Sequence, residues 1–410
     1  MKFYFLKQLV LLLYISVLTV YSGEPIFISE PVEVSDFVGS EFYGYVDGVG
    51  DQTMFQPSSD NSGSGRSFLY LTANPDGTIY LLDGSGQQKR MRKITQDAVV
   101  STFGDLNKVP SITSMVHDGA NSFLIWNYSQ NSIFKLSEST FISELYKSGV
   151  QSEIAKIIGG FASGMCVDSQ GVLYISSFKE NKIFRINTNG TYEVFAGSGN
   201  QGRTDGNGIF TSFSGPDHIV CDKLDNVYVN DSRNQCIRKI DKSRNVTTFS
   251  GIDSFVGIIK GMSADKTGNI FISTGCSIKM IDANGTVKSV AGNYGNGGYK
   301  NGSGKTSLFN RPVDLVCYKN LVFVYDTTRI RKITIGESSV KKPFDNINIK
   351  LSAGITINGT VGKKYSIESS LNGGKQWIGL TELDLPKTPY TWYDENSVGT
   401  NNLYRVFETP

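Results

Sequence analysis

The sequence predicts an all-β protein: a six-bladed β-propeller closed by its N-terminal strand, followed by a small β-sandwich domain. Three observations carry this expectation. Glycine takes 44 of 410 positions, and 20 tyrosines and 24 phenylalanines supply aromatics suited to half-buried pleated surfaces. Long runs of Ala, Leu, Glu and Lys at a 3.6-residue period are absent. A unit of short strands recurs about every 40 to 55 residues through most of the chain.

Each unit is built from similar pieces. An anchor strand follows an Asp or Asn and a turn, as in "NPDGTIYLL", "DSQGVLYIS", "DKLDNVYVN" and "DKTGNIFIS", with looser copies "HDGANSFLIW" and "YKNLVFVYD". The aromatic anchors Tyr80, Phe123, Tyr174, Tyr228, Phe271 and Phe323 are spaced by 43, 51, 54, 43 and 52 residues. A second strand comes soon after each anchor: "MRKI" (91–94), "IFKL" (133–136), "IFRI" (183–186), "IRKI" (237–240), "IKMI" (278–281) and "IRKI" (330–333). A third piece ends in glycine: "STFG", "KIIG", "VFAG", "TFSG", "SVAG" and the N-terminal "DFVG". One more apolar stretch precedes each anchor, giving four strands per unit, the size of a propeller blade.

The sixth unit ends at "IRKITIGE" without a glycine-terminated strand of its own, whereas "VEVSDFVG" (32–39) stands ahead of the first anchor. Pairing the two completes six blades and removes the open sheet edge that an unclosed ring would leave. The segment from "VFAGSGNQGRTDGNG" through "NQCIRKI" (194–240) resembles a nearly complete NHL repeat with a long glycine-rich lead-in. The resemblance extends over residues 32–336 and is weakest in the second unit. It implies a six-bladed NHL-type propeller and no particular activity, since the fold hosts many.

Beyond the polar joint "SSVKKPFDN" (338–346), the segments "GITING", "KYSIESS", "WIGLTELDL", "YTWYDE" and "LYRVFE" read as short alternating strands of a β-sandwich. This string is similar to C-terminal modules of exported bacterial proteins, which implies a bacterial source. The seven N-x-[ST] sequons, at Asn127, Asn189, Asn230, Asn245, Asn284, Asn301 and Asn358, then read as chance matches. At the other end, Lys2 and Lys7 precede a twelve-residue apolar run, Leu9 to Val20, with Ser22 and Gly23 at a cleavage point. That run is shorter than the roughly 20 residues a bilayer requires, so it reads as a signal peptide. The expected divisions are a signal peptide at 1–22, the propeller at 32–337 and the C-terminal module at 346–410. The expected location is secreted, cell-surface or periplasmic, with no transmembrane segment after cleavage.

Loss of residues 1–22 removes two lysines and no acids, leaving 38 charges of each sign. A neutral mature chain has no general attraction to nucleic acid, and none is expected as a partner. The five cysteines include no C-x-x-C pair. A Cys221–Cys236 bridge is conceivable, but buried free thiols are the favoured reading.

Gly197, Gly199 and Gly202 match the dinucleotide fingerprint G-x-G-x-x-G, yet Gly206, Gly208, Gly215 and Pro216 leave no room for the helix it needs. The same loop form recurs at 45–55 and 300–309: Asp47 to Phe55, Asp205 to Phe213 and Asn301 to Phe309 are each eight residues apart. These read as structural inter-blade loops anchored by an aromatic. "NGSGKTS" lacks the first P-loop glycine, having Tyr299 there, and no helix follows. With only His117 and His218, neither a three-histidine metal site nor a hydrolase triad is well supplied. His218, with Asp217 beside it and Asp314 at the aligned position of unit six, is expected to line the central channel.

The residues therefore point to a binding or scaffold protein with no cofactor and no catalytic set. Its candidate ligand patch on the long-loop face is Asp47, Arg203, Asp205, Asp231, Arg233, Asn234, Asn301 and Arg311, with His218 near the channel. The expected partner is an extracellular glycan, peptide or protein. The competing expectation is a channel-centred, metal-dependent lyase or hydrolase acting on extracellular sugars or peptides.

Overall fold

The computed structural model describes residues 27–56, 71–84, 89–106, 112–119, 122–127, 129–130, 132–137, 143–144, 162–251, 258–336, 355–357, 360, 362–370, 378–384, 390–392 and 403–408. The expected signal peptide at 1–22 and the joint at 338–346 lie outside the described residues. The chain divides into two compact units, Met1–Gly336 and Glu337–Pro410.

The first unit is a six-bladed β-propeller of antiparallel sheets. From the axis outward, blade 1 holds Leu71–Ala73, Ile79–Asp83, Arg90–Ile94 and Val99–Asp105. Blade 2 holds Ile112–His117, Ser122–Asn127, Ser132–Ser137 and Ser143–Glu144, and blade 3 holds Gly164–Val167, Leu173–Ser177, Lys182–Ile186 and Tyr192–Ala196. Blade 4 follows with Pro216–Cys221, Val227–Asp231, Cys236–Ile240 and Asn245–Gly251. Blade 5 is Ile259–Ala264, Ile270–Thr274, Ser277–Ile281 and Val287–Gly292. Blade 6 takes Pro312–Tyr318, Leu321–Asp326 and Arg329–Ile335 from its own unit and Val32–Gly39 from the N-terminal end. That strand runs antiparallel to Arg329–Ile335, from Val32 opposite Ile335 to Gly39 opposite Arg329, with a bulge between Asp36 and Val38. The ring closes as the missing sixth strand predicts.

One expected piece falls elsewhere. The outer strand of blade 2 is Ser143–Glu144, not "KIIG", which lies outside the described residues. Spacing explains the difference. The terminal glycine follows the anchor by 21 to 24 residues in units one, three, four and five, but Gly159 follows Phe123 by 36. Ser143 lies 20 residues on, where a fourth strand belongs.

The cores form between blades. Phe323 and Tyr325 of blade 6 pack with Leu71, Ile79 and Leu81 of blade 1, and Val227 and Val229 of blade 4 pack with Tyr174 and Ile183 of blade 3. Each fully buried side chain of this kind contributes on the order of 2 kcal/mol by leaving water. At the inner turns, Asn74, Asp168, Asp222 and Asp265 each accept backbone N–H groups from two and four residues ahead. These side-chain turns explain why an Asp or Asn precedes the anchor strands. The five cysteines are all free, so no Cys221–Cys236 bridge forms.

Among the described residues, the second unit holds two antiparallel sheets. Ile355–Ile357 pairs with Tyr390–Trp392, and Lys364–Ser370 lies between Ile378–Asp384 and Leu403–Glu408. Tyr365, Ile367 and Val406 are buried, and the Tyr365 hydroxyl accepts the Thr360 N–H. No helix among the described residues is long and apolar enough to cross a membrane.

Candidate functional site

In a propeller of antiparallel blades, the blade-to-blade connections and the turns between second and third strands emerge on one face. This loop face carries most of the sequence-predicted patch, and the structure divides that patch between two places.

The first place is the outer margin of blades 1, 4 and 6. Each long loop there adds a two-residue strand to the edge of the blade it enters: Gly48–Val49, Gly206–Asn207 and Gly302–Ser303. The residue just before each short strand, Asp47, Asp205 or Asn301, accepts a hydrogen bond from a buried arginine of the third strand. The distances are 2.9 Å to Arg92, 2.7 Å to Arg238 and 2.7 Å to Arg331. A second, buried carboxylate completes each clamp: Asp83 at 2.6 Å, Asp231 at 3.2 Å and Asp326 at 3.3 Å. Each guanidinium also donates to two loop carbonyls, Met54 and Val46, Ser212 and Thr204, or Leu308 and Lys300. Beneath it lies the loop aromatic, with Phe55, Phe213 and Phe309 at 5.0, 5.1 and 5.1 Å.

The glycines of the motif belong to the same device. Gly39, Gly197 and Gly292 end the outer strands at φ of +100°, +98° and +77°. A Cβ on any of them would come within 2.5 Å of a backbone carbonyl, that of Thr328, Asn181 or Cys276. Asn234 ties the hairpin of blade 4 to the loop by donating to Gly202 O and Asp231, both at 2.7 Å. Asp47, Asp205, Asp231, Asn234 and Asn301 thus engage partners within the protein and are spread over three blades. Burial pushes the Asp83 carboxyl up to about 6 against the opposing pull of Arg92, and it raises Asp231 and Asp326 in the same sense. Arg203 is exposed on blade 4's side of this face.

The second place is the axis. The six innermost strands surround a cavity of about 1050 Å³, running from Ser163, Asp217 and Ile258 at the loop face to Asp168, Asp222 and Asp265 at the opposite face. His218, Arg233 and the expected Asp217 and Asp314 all line it. The His218 side chain is 33% exposed. Its Nδ1 lies 3.1 Å from Asp217 Oδ1 and its Nε2 lies 2.9 Å from the Lys260 carbonyl oxygen. Both neighbours only accept, so the imidazolium, with a proton on each nitrogen, satisfies both at once. Burial opposes that charge, but Asp217 and Asp314 outweigh it and raise the pKa.

Asp217 Oδ1 also accepts from Asn230 Nδ2 at 2.7 Å. Asp314 accepts the backbone N–H groups of Leu71 and Leu315, both at 2.8 Å, and burial pushes its carboxyl up to about 7 although these bonds and His218 pull it down. Arg233 stacks 4.6 Å over the Phe178 ring at the loop-face rim. Lys260, on the same wall, was not singled out by the sequence; "GIIKGMS" gives no sign that this lysine faces the axis. Arg311 is exposed at the entry to the innermost strand of blade 6. Its charge acts on Lys260, whose ammonium is held below its ordinary range by burial and by Arg311. Among the described residues, no three His, Cys, Asp or Glu side chains are grouped to hold a metal ion.

No family model and no curated protein matches this sequence. Among solved structures, the chain is similar to a structural genomics protein of unknown function from Bacteroides thetaiotaomicron. The TM-score is 0.56 at 17% identity, covering 75% of this chain and 76% of that one. It is also similar to an auxiliary nutrient binding protein from Bacteroides ovatus, with a TM-score of 0.54 at 15% identity over 75% and 78% of the two chains. A streptogramin B lyase aligns with a TM-score of 0.46 at 11% identity over 74% and 98%. What the first two likenesses show is the six-bladed propeller fold.

Proposed function

We propose that this protein is an exported bacterial binding protein, an NHL-type propeller carrying a C-terminal β-sandwich module. It captures a small extracellular ligand, a glycan or peptide, at the loop-face mouth of its central channel. The observation that carries the proposal is the open axial cavity of about 1050 Å³, which is large enough for an extended ligand and is lined by His218, Asp217, Lys260 and Arg233. The polar residues of the outer loops support the same reading by contrast, because their hydrogen bonds are already engaged in the arginine clamps. The structural likeness to an auxiliary nutrient binding protein agrees with a role in capture.

A thermal-shift screen of oligosaccharides and short peptides tests this, run on the wild type and on Ser163→Trp, which places an indole in the channel mouth. At least one compound is expected to raise the melting temperature of the wild type by a few degrees at saturation and to leave Ser163→Trp unchanged. Equal stabilisation of both proteins would contradict the channel as the site.

A further inference from the structure

The loop-face mouth holds more positive charge than its own carboxylates answer. Arg233 and Lys260 line it, and the exposed Arg311 at the entry to blade 6 is near enough for its charge to act on Lys260. Among the described residues none of the three side chains makes an ion pair, and Arg233 is engaged only by the face of Phe178. Lys260 is half-buried and stands close enough to Arg311 for the two charges to repel. The acids nearby are committed elsewhere. Asp217 serves His218 and Asn230, Asp314 serves two backbone amides, and Asp231 and Asp326 serve the clamps. Like charges gathered on a partly desolvated wall cost free energy, and an arriving anion removes that cost.

The surroundings narrow the class of anion. A cavity of about 1050 Å³ far exceeds the needs of a lone inorganic ion. Ile258 is 76% exposed at the rim and offers an apolar surface. The Ser163 hydroxyl accepts the Phe178 N–H and retains its own proton to give. Apolar contact, hydroxyl hydrogen bonding and a cationic corner together suit a sugar ring bearing a carboxylate.

We infer that the mouth binds an oligosaccharide containing uronic acid, with a carboxylate seated among Arg233, Lys260 and Arg311 and the ring lying against Ile258. This rests on the channel being the binding site. Titration calorimetry on the full chain, with trigalacturonate and the uncharged galactotriose as probes, tests it.

Trigalacturonate is expected to bind at least tenfold more tightly than galactotriose, with affinity falling as salt rises. Arg233→Gln, Lys260→Met and Arg311→Gln each lower its affinity by about tenfold. Lys260→Arg restores most of it, and Lys266→Gln, at the opposite end of the channel, leaves it unchanged. Equal binding of the two probes, no binding of trigalacturonate, or full affinity in all three cation variants overturns the inference. The channel reading is judged separately. It survives if galactotriose binds equally well and Ser163→Trp abolishes both, and it falls if trigalacturonate binding persists in Ser163→Trp.

Discussion

His218 is the residue on which the chemistry of the channel turns. Its ring bridges the innermost strands of blades 4 and 5, and both of its nitrogens face acceptors. Its pKa is therefore expected above the ordinary 6.5, and Asp217→Asn is expected to lower it by removing the carboxylate that faces Nδ1. With two histidines in the chain, imidazole NMR resolves this directly, and titration of His218 at or below 6.5 would contradict it. Asp314 has a consequence for stability as well. Its carboxyl is raised from 3.8 to about 7, so between these values the folded state keeps a proton that the unfolded chain has released. Stability then falls as pH rises through that window, and His218 acts with the same sign above 6.5. Asp314→Asn is expected to flatten this fall when unfolding is followed by urea at several pH values.

Residue-scale features differed in how far they could be read in advance. Asp217, His218 and Asp314 could be placed on the channel because "GPDHIVC" and "RPVDLVC" align as the apolar stretch that precedes an anchor strand. Asp47, Asp205 and Asn301 looked like surface ligands because a sequence displays a loop charge but not the buried guanidinium it meets. Asn127 and Asn230 are buried, which leaves their sequons no room for a glycan.

At the scale of elements, the repeated loop is a clamp, and its parts explain one another. The positive-φ glycine turns the chain off the outer strand, the short edge strand lays it along the next blade, and the aromatic and arginine pin it there. Loop length and the aromatic anchor were legible in the eight-residue spacing. The added edge strands were not, because two residues flanked by glycines carry no strand pattern. Blade 6 uses Asn301 where blades 1 and 4 use the half-exposed Asp47 and Asp205, and the second carboxylate on its guanidinium, besides the buried Asp326, is Asp36, 3.0 Å from Arg331 Nε. Asp205→Asn is accordingly expected to cost less than about 1 kcal/mol in denaturant unfolding. Arg238→Met strands the buried Asp231 and is expected to cost about 3–5 kcal/mol. Similar costs for the two substitutions would refute the clamp.

The whole molecule follows from closure. An N-terminal strand that completes the last blade joins the two ends of the ring, and six innermost strands then enclose a channel wide enough to hold a ligand. The sequence foretold the blade count and the closing strand, because both depend on counting repeats. It could not foretell the cation cluster at the mouth, which assembles from single residues on blades 4, 5 and 6. The two histidines mark opposite ends of this channel: His218 lies at the loop-face end of its innermost strand, and His117 lies at the far end of its own, packed against Tyr80 and Phe123. They make the most direct test of channel binding. During titration with a saccharide that stabilises the protein, the His218 imidazole resonances are expected to shift while those of His117 stay in place. A shift confined to His117, or no shift in either ring at saturation, would contradict ligand binding at the loop-face mouth.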